Sequence, residues 1–213
     1  MCTMLIESVP NYSEGRRPEV VDAIAEAVTT TPGVHLLDRT SDASHNRSVL
    51  TIAGEAEAVS RALEATIAMA IREIDMEQHT GEHPRIGAVD VVPFVPLGET
   101  TMDQAIAQAR MFGRAMAERF GIPVFLYAKA ATRPDRIRLA DVRRGGYEGL
   151  RDEIATSGRG PDYGPAPWPS GPARSSSPGT STSNRTTSTS PGGSPGGSAS
   201  RAADCRPSRR TAS

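Results

Sequence analysis

Through residue 168, apolar positions recur in two periods, one of two residues and one of three to four, and together they lay out an order of elements. "TMLIESV" is a short extended pattern ended by Pro10 and the loop "NYSEGRR", which predicts a first strand. Pro18 stands where a helix tolerates proline, in the first turn, and Val21, Ile24, Ala25 and Val28 repeat at helical spacing until Pro32 and Gly33 stop them. "VHLLD" and "RSVLTIAG" predict two strands, with "RTSDASHN" read as the loop between them. Val59, Leu63, Ile67, Ala70 and Ile74 form the stripe of a second helix. "AVDVVPFVP" is apolar on nearly every residue, as expected of a central strand, and its prolines mark where it leaves the ladder. "TMDQ" has the capping-box spacing, Thr101 with Gln104 three residues on, ahead of a helix carrying Ile106, Ala109, Gly113 and Phe120 and closed by Gly121 and Pro123. "VFLYA" predicts a last strand, and Leu139 to Ile154 a short, broken helix. The order βαββαβαβ implies an α/β fold: an α+β sandwich with a mixed sheet of about five to six strands and helices mainly on one face.

Composition divides the chain. Residues 1–168 mix apolar and charged side chains normally. Residues 169–213 hold no Ile, Leu, Val or aromatic residue and are dominated by Ser, Thr, Pro, Gly, Ala and Arg, so they are expected to form a disordered tail. The net charge of −1 hides an asymmetry: six Arg and one Asp lie in the tail, leaving the body with 18 basic and 24 acidic side chains. A mildly acidic body carries no nucleic-acid footprint, and a basic tail without aromatic or apolar residues neither stacks on bases nor enters a membrane. Cys2 and Cys205, at opposite ends, offer no disulfide framework or cysteine metal site. "MCTMLIESVP" lacks the basic region of a signal peptide, and no later segment approaches bilayer-spanning length, so a cytoplasmic protein is expected.

Three polar clusters stand at strand mouths. In "HTGEHPR", Pro84 biases His83 towards an extended conformation. Such a fixed imidazole, beside the carboxylate of Glu82, suits general acid/base work, although a surface histidine in a polar loop fits the same residues. In "VPNYSEGRR", Asn11, Ser13 and Glu14 precede a helix N-terminus, where anionic groups are favourably received, and ordinary turn chemistry would also place them there. In "SHNRS", Asn46 and Arg47 repeat the theme, and Arg47 could grip a carboxylate or be solvated. His79 and His83 have the i, i+4 spacing of metal ligands, but Gly81 and Pro84 argue against the helix that would align them, so no metal is expected.

Taken together, "VPNYSEGR", "HTGEHPRIGAVDVVPFVP" and "PDYGPA", in that order, resemble the N-terminal part of the formiminotransferase domain of the glutamate formimidoyltransferases, over about residues 4–166. The resemblance implies two α/β subdomains with substrate between them, and transfer of a formimidoyl group from N-formimidoyl-L-glutamate to tetrahydrofolate in histidine breakdown. Tetrahydrofolate is then a co-substrate, no metal is needed, and neither nucleic acid nor membrane is a partner; a homodimer stays open. His83 corresponds to the catalytic acid/base. Asp162, Tyr163, Gly164 and Pro165 correspond to the folate-contacting connection. Glu82, Arg85, Asn11, Ser13, Glu14, Asn46 and Arg47 are expected to bind substrate.

Members of that family continue past "PDYGPA" into a second subdomain. Arginine is abundant here and Lys129 is the sole lysine, a bias expected of GC-rich coding. Back-translated from Ser170 with GC-rich codons and read in a shifted frame, the tail permits a strand, a loop and an amphipathic helix. A frameshift near residues 166–169 is therefore expected to have truncated an ordinary enzyme, leaving little activity. The other class of function compatible with the sequence is a non-catalytic folate-binding or dimerisation module with a flexible arm.

Overall fold

The computed structural model describes residues 3–82, 84–156 and 160–165, with the backbone alone for 155 and 156. His83 and the predicted tail lie outside the described residues. The elements run β1 (Leu5–Ser8), β2 (Asn11–Tyr12), α1 (Pro18–Thr29), β3 (Val34–Asp42), β4 (Arg47–Glu55), α2 (Ala56–Glu73), β5 (Val89–Val91), β6 (Val95–Leu97), α3 (Met102–Phe120), α4 (Leu139–Val142) and α5 (Gly146–Thr156).

β4 organises the sheet. On one side it pairs with β3; on the other its C-terminal half pairs with β1 and its N-terminal half with β2. β1 and β2 are in effect one strand interrupted at Val9 and Pro10. β6 and β5 form the next row in the same way, β6 on β1 and β5 on β2, interrupted at Val92 to Phe94. The result is a βαββαβ split arrangement. Among the described residues every pairing is antiparallel, so the six-stranded sheet is not mixed as expected.

Three local expectations also change. "AVDVVPFVP" forms an edge row rather than a central strand; Pro93 and Pro96 have no N–H to donate, which an edge accepts and a centre does not. The "RTSD" of the supposed loop is strand, because Thr51 back to Arg47 gives Asp38 to Asp42 a continuous partner beyond a bulge after Leu36. "VFLYA" is extended but makes only one bridge, Val124 to Tyr163, with no ladder of its own among the described residues.

The helices arise where the pattern places them. Pro18 opens α1, and Thr101 and Gln104 close a capping box at α3, with Thr101 N–H donating to Gln104 Oε1 at 2.8 Å. Ile6, Leu50 and Ile52 of the sheet share one core with Ile24 and Val28 of α1, Val59 and Leu63 of α2, and Phe112 and Met116 of α3. Each such aliphatic burial stabilises by about 1.5–3 kcal/mol before entropy is counted. Tyr12 is wholly buried in this core; its hydroxyl donates to Thr66 Oγ1 at 2.8 Å, and burial pushes its pKa far above the ordinary phenol value. A second cluster, Ile86, Val142, Leu150 and Ile154 with Phe125 and Tyr127, seats α4 and α5 under the chain that enters β5. Among the described residues, no helix is long and apolar enough to cross a membrane.

Candidate active site

The three polar stretches, far apart in sequence, meet at one end of the sheet. Ser13 Oγ donates to Gly87 O at 2.8 Å, and its N–H to Ala88 O at 3.0 Å, tying the β2–α1 loop to the entry of β5. Asn46, buried and held at φ 49°, connects all three: Gly15 N–H donates to its Oδ1 at 3.0 Å, its Nδ2 donates to Thr80 O at 3.0 Å, and His79 Nε2 lies 3.2 Å from its carbonyl oxygen. The approach is close enough to require glycine twice. A Cβ on Gly15 would stand 2.4 Å from Asp42 O and 2.6 Å from Arg47 N, and one on Gly81 would stand 2.5 Å from His45 O.

Glu14 is buried beside this junction, and its carboxylate is used internally. Oε1 accepts the backbone N–H groups of Arg16 and Arg17 at 2.9 and 3.0 Å, and Oε2 accepts Arg17 Nε at 2.6 Å. Burial alone would raise its pKa, but those donors and the Arg17 charge outweigh it and hold the carboxyl below its ordinary range. Arg17 also donates to Glu73 O at 2.8 Å, capping α2 and fixing where the loop begins.

Residues 79–82 and 84–85 flank position 83 and are tied to one another. Arg85 Nη2 donates to His79 O at 3.1 Å, joining the two flanks, and to Glu148 Oε1 of α5 at 2.9 Å. Arg16 Nη1 donates to Thr80 Oγ1 at 3.0 Å. Further support comes from α5, where Tyr147 OH donates to Glu77 Oε1 at 2.9 Å. Past the loop, Asp90 is buried in β5; it accepts Ile86 N–H at 3.1 Å and pairs with Arg143, while burial raises the pKa of neighbouring Tyr127. Beside them opens an apolar groove of about 700 Å³, walled by β5 and the residues 92–94 after it, α2, α3 and the extended residues 122–127, with Ile71, Val91, Phe112 and Phe125 among its lining.

The "PDYG" stretch packs at the far wall. The Asp162 side chain is buried: Leu126 N–H donates to its Oδ2 at 2.8 Å, Arg136 pairs with it, and Thr132 Oγ1 donates to Oδ1. Tyr163 lies under the guanidinium of Arg114, 5.2 Å from the ring centre.

Residues 5–171 match the model of the formiminotransferase domain, N-terminal subdomain. The chain belongs to this family. It is 42% identical to a glutamate formimidoyltransferase of Streptococcus pyogenes over 160 residues, 75% of this chain and 54% of that one. A glutamate formimidoyltransferase of Thermoplasma acidophilum is 45% identical over 164 residues, 76% of this chain and 54% of its own length. A formimidoyltransferase-cyclodeaminase of Sus scrofa is 47% identical over 165 residues, 77% of this chain and 30% of its own. The chain thus spans about half the length, or less, of these relatives.

Within this subdomain the expected residues divide by what holds them. Ser13, Glu14, Asn46 and Arg85 are engaged by protein partners and build the loop junction. Asn11 donates to Val9 O at 3.1 Å within the strand break. Glu82 is exposed, and Arg47, half-buried, makes no side-chain hydrogen bond or ion pair among the described residues. Gly164 lies at φ 98° against Ile122, and Pro165 is exposed beside it. The sequence reading missed Asp90 and Arg143. The signal was present: a carboxylate in the middle of "AVDVV" cannot be buried without a partner.

Proposed function

We propose that this chain supplies the acid/base half of a glutamate formimidoyltransferase, with His83 as the proton carrier in transfer of the formimidoyl group from N-formimidoyl-L-glutamate to tetrahydrofolate during histidine breakdown in the cytoplasm. The observation that carries this reading is the convergence of the β2–α1 loop and the β3–β4 turn on the residues flanking position 83, in a chain of the formiminotransferase family. N5 of tetrahydrofolate attacks the formimidoyl carbon, and a tetrahedral intermediate forms as His83 takes the N5 proton. The same imidazolium then returns a proton to the glutamate nitrogen as the carbon–nitrogen bond breaks, so one histidine balances both steps. Glu82 orients the imidazole or faces the amidinium, and Arg47 receives a substrate carboxylate. The pteridine co-substrate enters from the side of residues 162–165. Substrates lie between this subdomain and the C-terminal half that the relatives carry.

The test follows 5-formimidoyltetrahydrofolate as it appears from the two substrates, in the chain joined to the C-terminal half of the Streptococcus pyogenes relative. His83→Ala is expected to lower kcat by about a hundredfold or more, the usual scale for loss of a positioned acid/base, with folate affinity little changed. Unchanged turnover removes His83 from the mechanism; tight folate binding without any transfer favours the non-catalytic module.

A further inference from the structure

The segment leading to position 83 is held on its N-terminal flank through His79 and Asn46. A carbonyl oxygen can only accept, so the 3.2 Å contact of His79 Nε2 with Asn46 O fixes the proton on Nε2 and leaves Nδ1 bare. Nδ1 is buried and has no hydrogen-bond partner among the described residues. The Asn46 amide reinforces the tie by donating to Thr80 O, next in the chain after His79. Arg85 then joins the far flank to His79 O.

We propose that His79 is a positioning residue: as a neutral imidazole on the Asn46 carbonyl it sets the flank of the loop that carries His83, and a second proton on it releases that flank. This rests on the reading of His83 as the acid/base. A proton on Nδ1 would be a buried cation without an acceptor. The charged groups that bear on His79 are Arg85 from the opposite flank and Arg16 and Glu14 from the β2–α1 loop, two cations against one anion whose oxygens are already occupied. Burial first, and then Arg85 and Arg16, hold its pKa below the ordinary histidine value, although the Asn46 carbonyl and Glu14 act in the opposite sense. The sign is definite. A histidine whose folded pKa is depressed contributes its stability above the unfolded value, near 6.5, and loses it as pH falls towards the folded value.

The experiment uses nuclear magnetic resonance on the 213-residue chain and needs no substrate. Long-range proton–nitrogen spectra at pH 7.5 are expected to put the proton of His79 on Nε2. Backbone order parameters of Thr80, Gly81 and Glu82 are expected to sit near the rigid value of about 0.85 at pH 7.5 and to fall towards about 0.6 as His79 titrates. In His79→Gln, whose amide keeps a donor but cannot titrate, the loop should stay ordered and lose its pH dependence; in His79→Ala it should be loose at every pH. A proton on Nδ1, or order that ignores both the titration and His79→Gln, overturns the proposal. Should the latch behave as described while His83→Ala leaves transfer unchanged, the acid/base assignment fails and the tie between His79 and the loop stands.

Discussion

At the scale of single residues, the structure separates carboxylates that can meet a substrate from those already occupied. Asp162, expected to contact folate, has a backbone N–H, a hydroxyl and a guanidinium on its two oxygens, and both its side chain and that of Arg136 are buried. Asp162→Asn strands the Arg136 charge, and breaking a buried pair in this way costs about 3–5 kcal/mol. Urea unfolding should register that loss; unchanged stability with weakened folate binding would instead make Asp162 a ligand contact. Glu14 gives a second test. Its depressed pKa means that its contribution is present above the unfolded value of about 4.3 and is lost as pH falls through the folded one. Glu14→Gln should therefore lower stability at neutral pH and flatten the acid limb of the stability–pH curve below about pH 4.3. Glu14 stood out in the sequence as a polar side chain at a strand mouth, whereas Asp162 was marked only by the family resemblance. Their occupancy was not legible, since it depends on partners such as Leu126, Thr132 and Arg17 that only the fold brings near.

At the scale of elements, legibility followed how locally each element is determined. α3 begins where Thr101 and Gln104 say it must, because a capping box is complete within four residues. Thr101→Ala should cost about 1 kcal/mol, read as a lower thermal midpoint with the pocket and loop unaffected; a neutral result would mean the first turn is held by packing alone. Strand position, by contrast, is non-local. "AVDVVPFVP" has the apolar density of a buried strand, yet its burial comes from the helices and from the 122–127 segment rather than from a strand on each side. "VFLYA" reads as a strand on propensity and finds one bridging partner, Tyr163, so propensity without a neighbour leaves an extended chain. The extent of β3 through Asp42 was hidden for the same reason: polar "RTSD" becomes strand only because β4 runs alongside it.

At the scale of the whole molecule, the groove decides what the chain can do alone. Its walls are apolar side chains of α2, α3, β5 and residues 92–94 and 122–127 around about 700 Å³, and contiguous apolar surface of that kind marks a binding face. The chain spans 54% of each of the two glutamate formimidoyltransferases it matches, and under the proposed function the C-terminal half of such a relative would cover this face. A site walled on one side also leaves its substrates poorly placed, and a misplacement of about 1 Å can cost on the order of a hundredfold in rate. The 213-residue chain alone should therefore bind anilinonaphthalene sulfonate strongly and transfer the formimidoyl group at least about a hundredfold more slowly than the same chain joined to the C-terminal half of the Streptococcus pyogenes relative. In the joined protein, dye fluorescence should fall as transfer appears. Replacing Ile71 and Val91 by glutamate should block that recovery while leaving α1 and the β3–β4 pair intact by circular dichroism. Full transfer by the chain alone, with the dye still bound, would show that the groove is not the seat of a second half and that the chemistry needs only the loop around position 83.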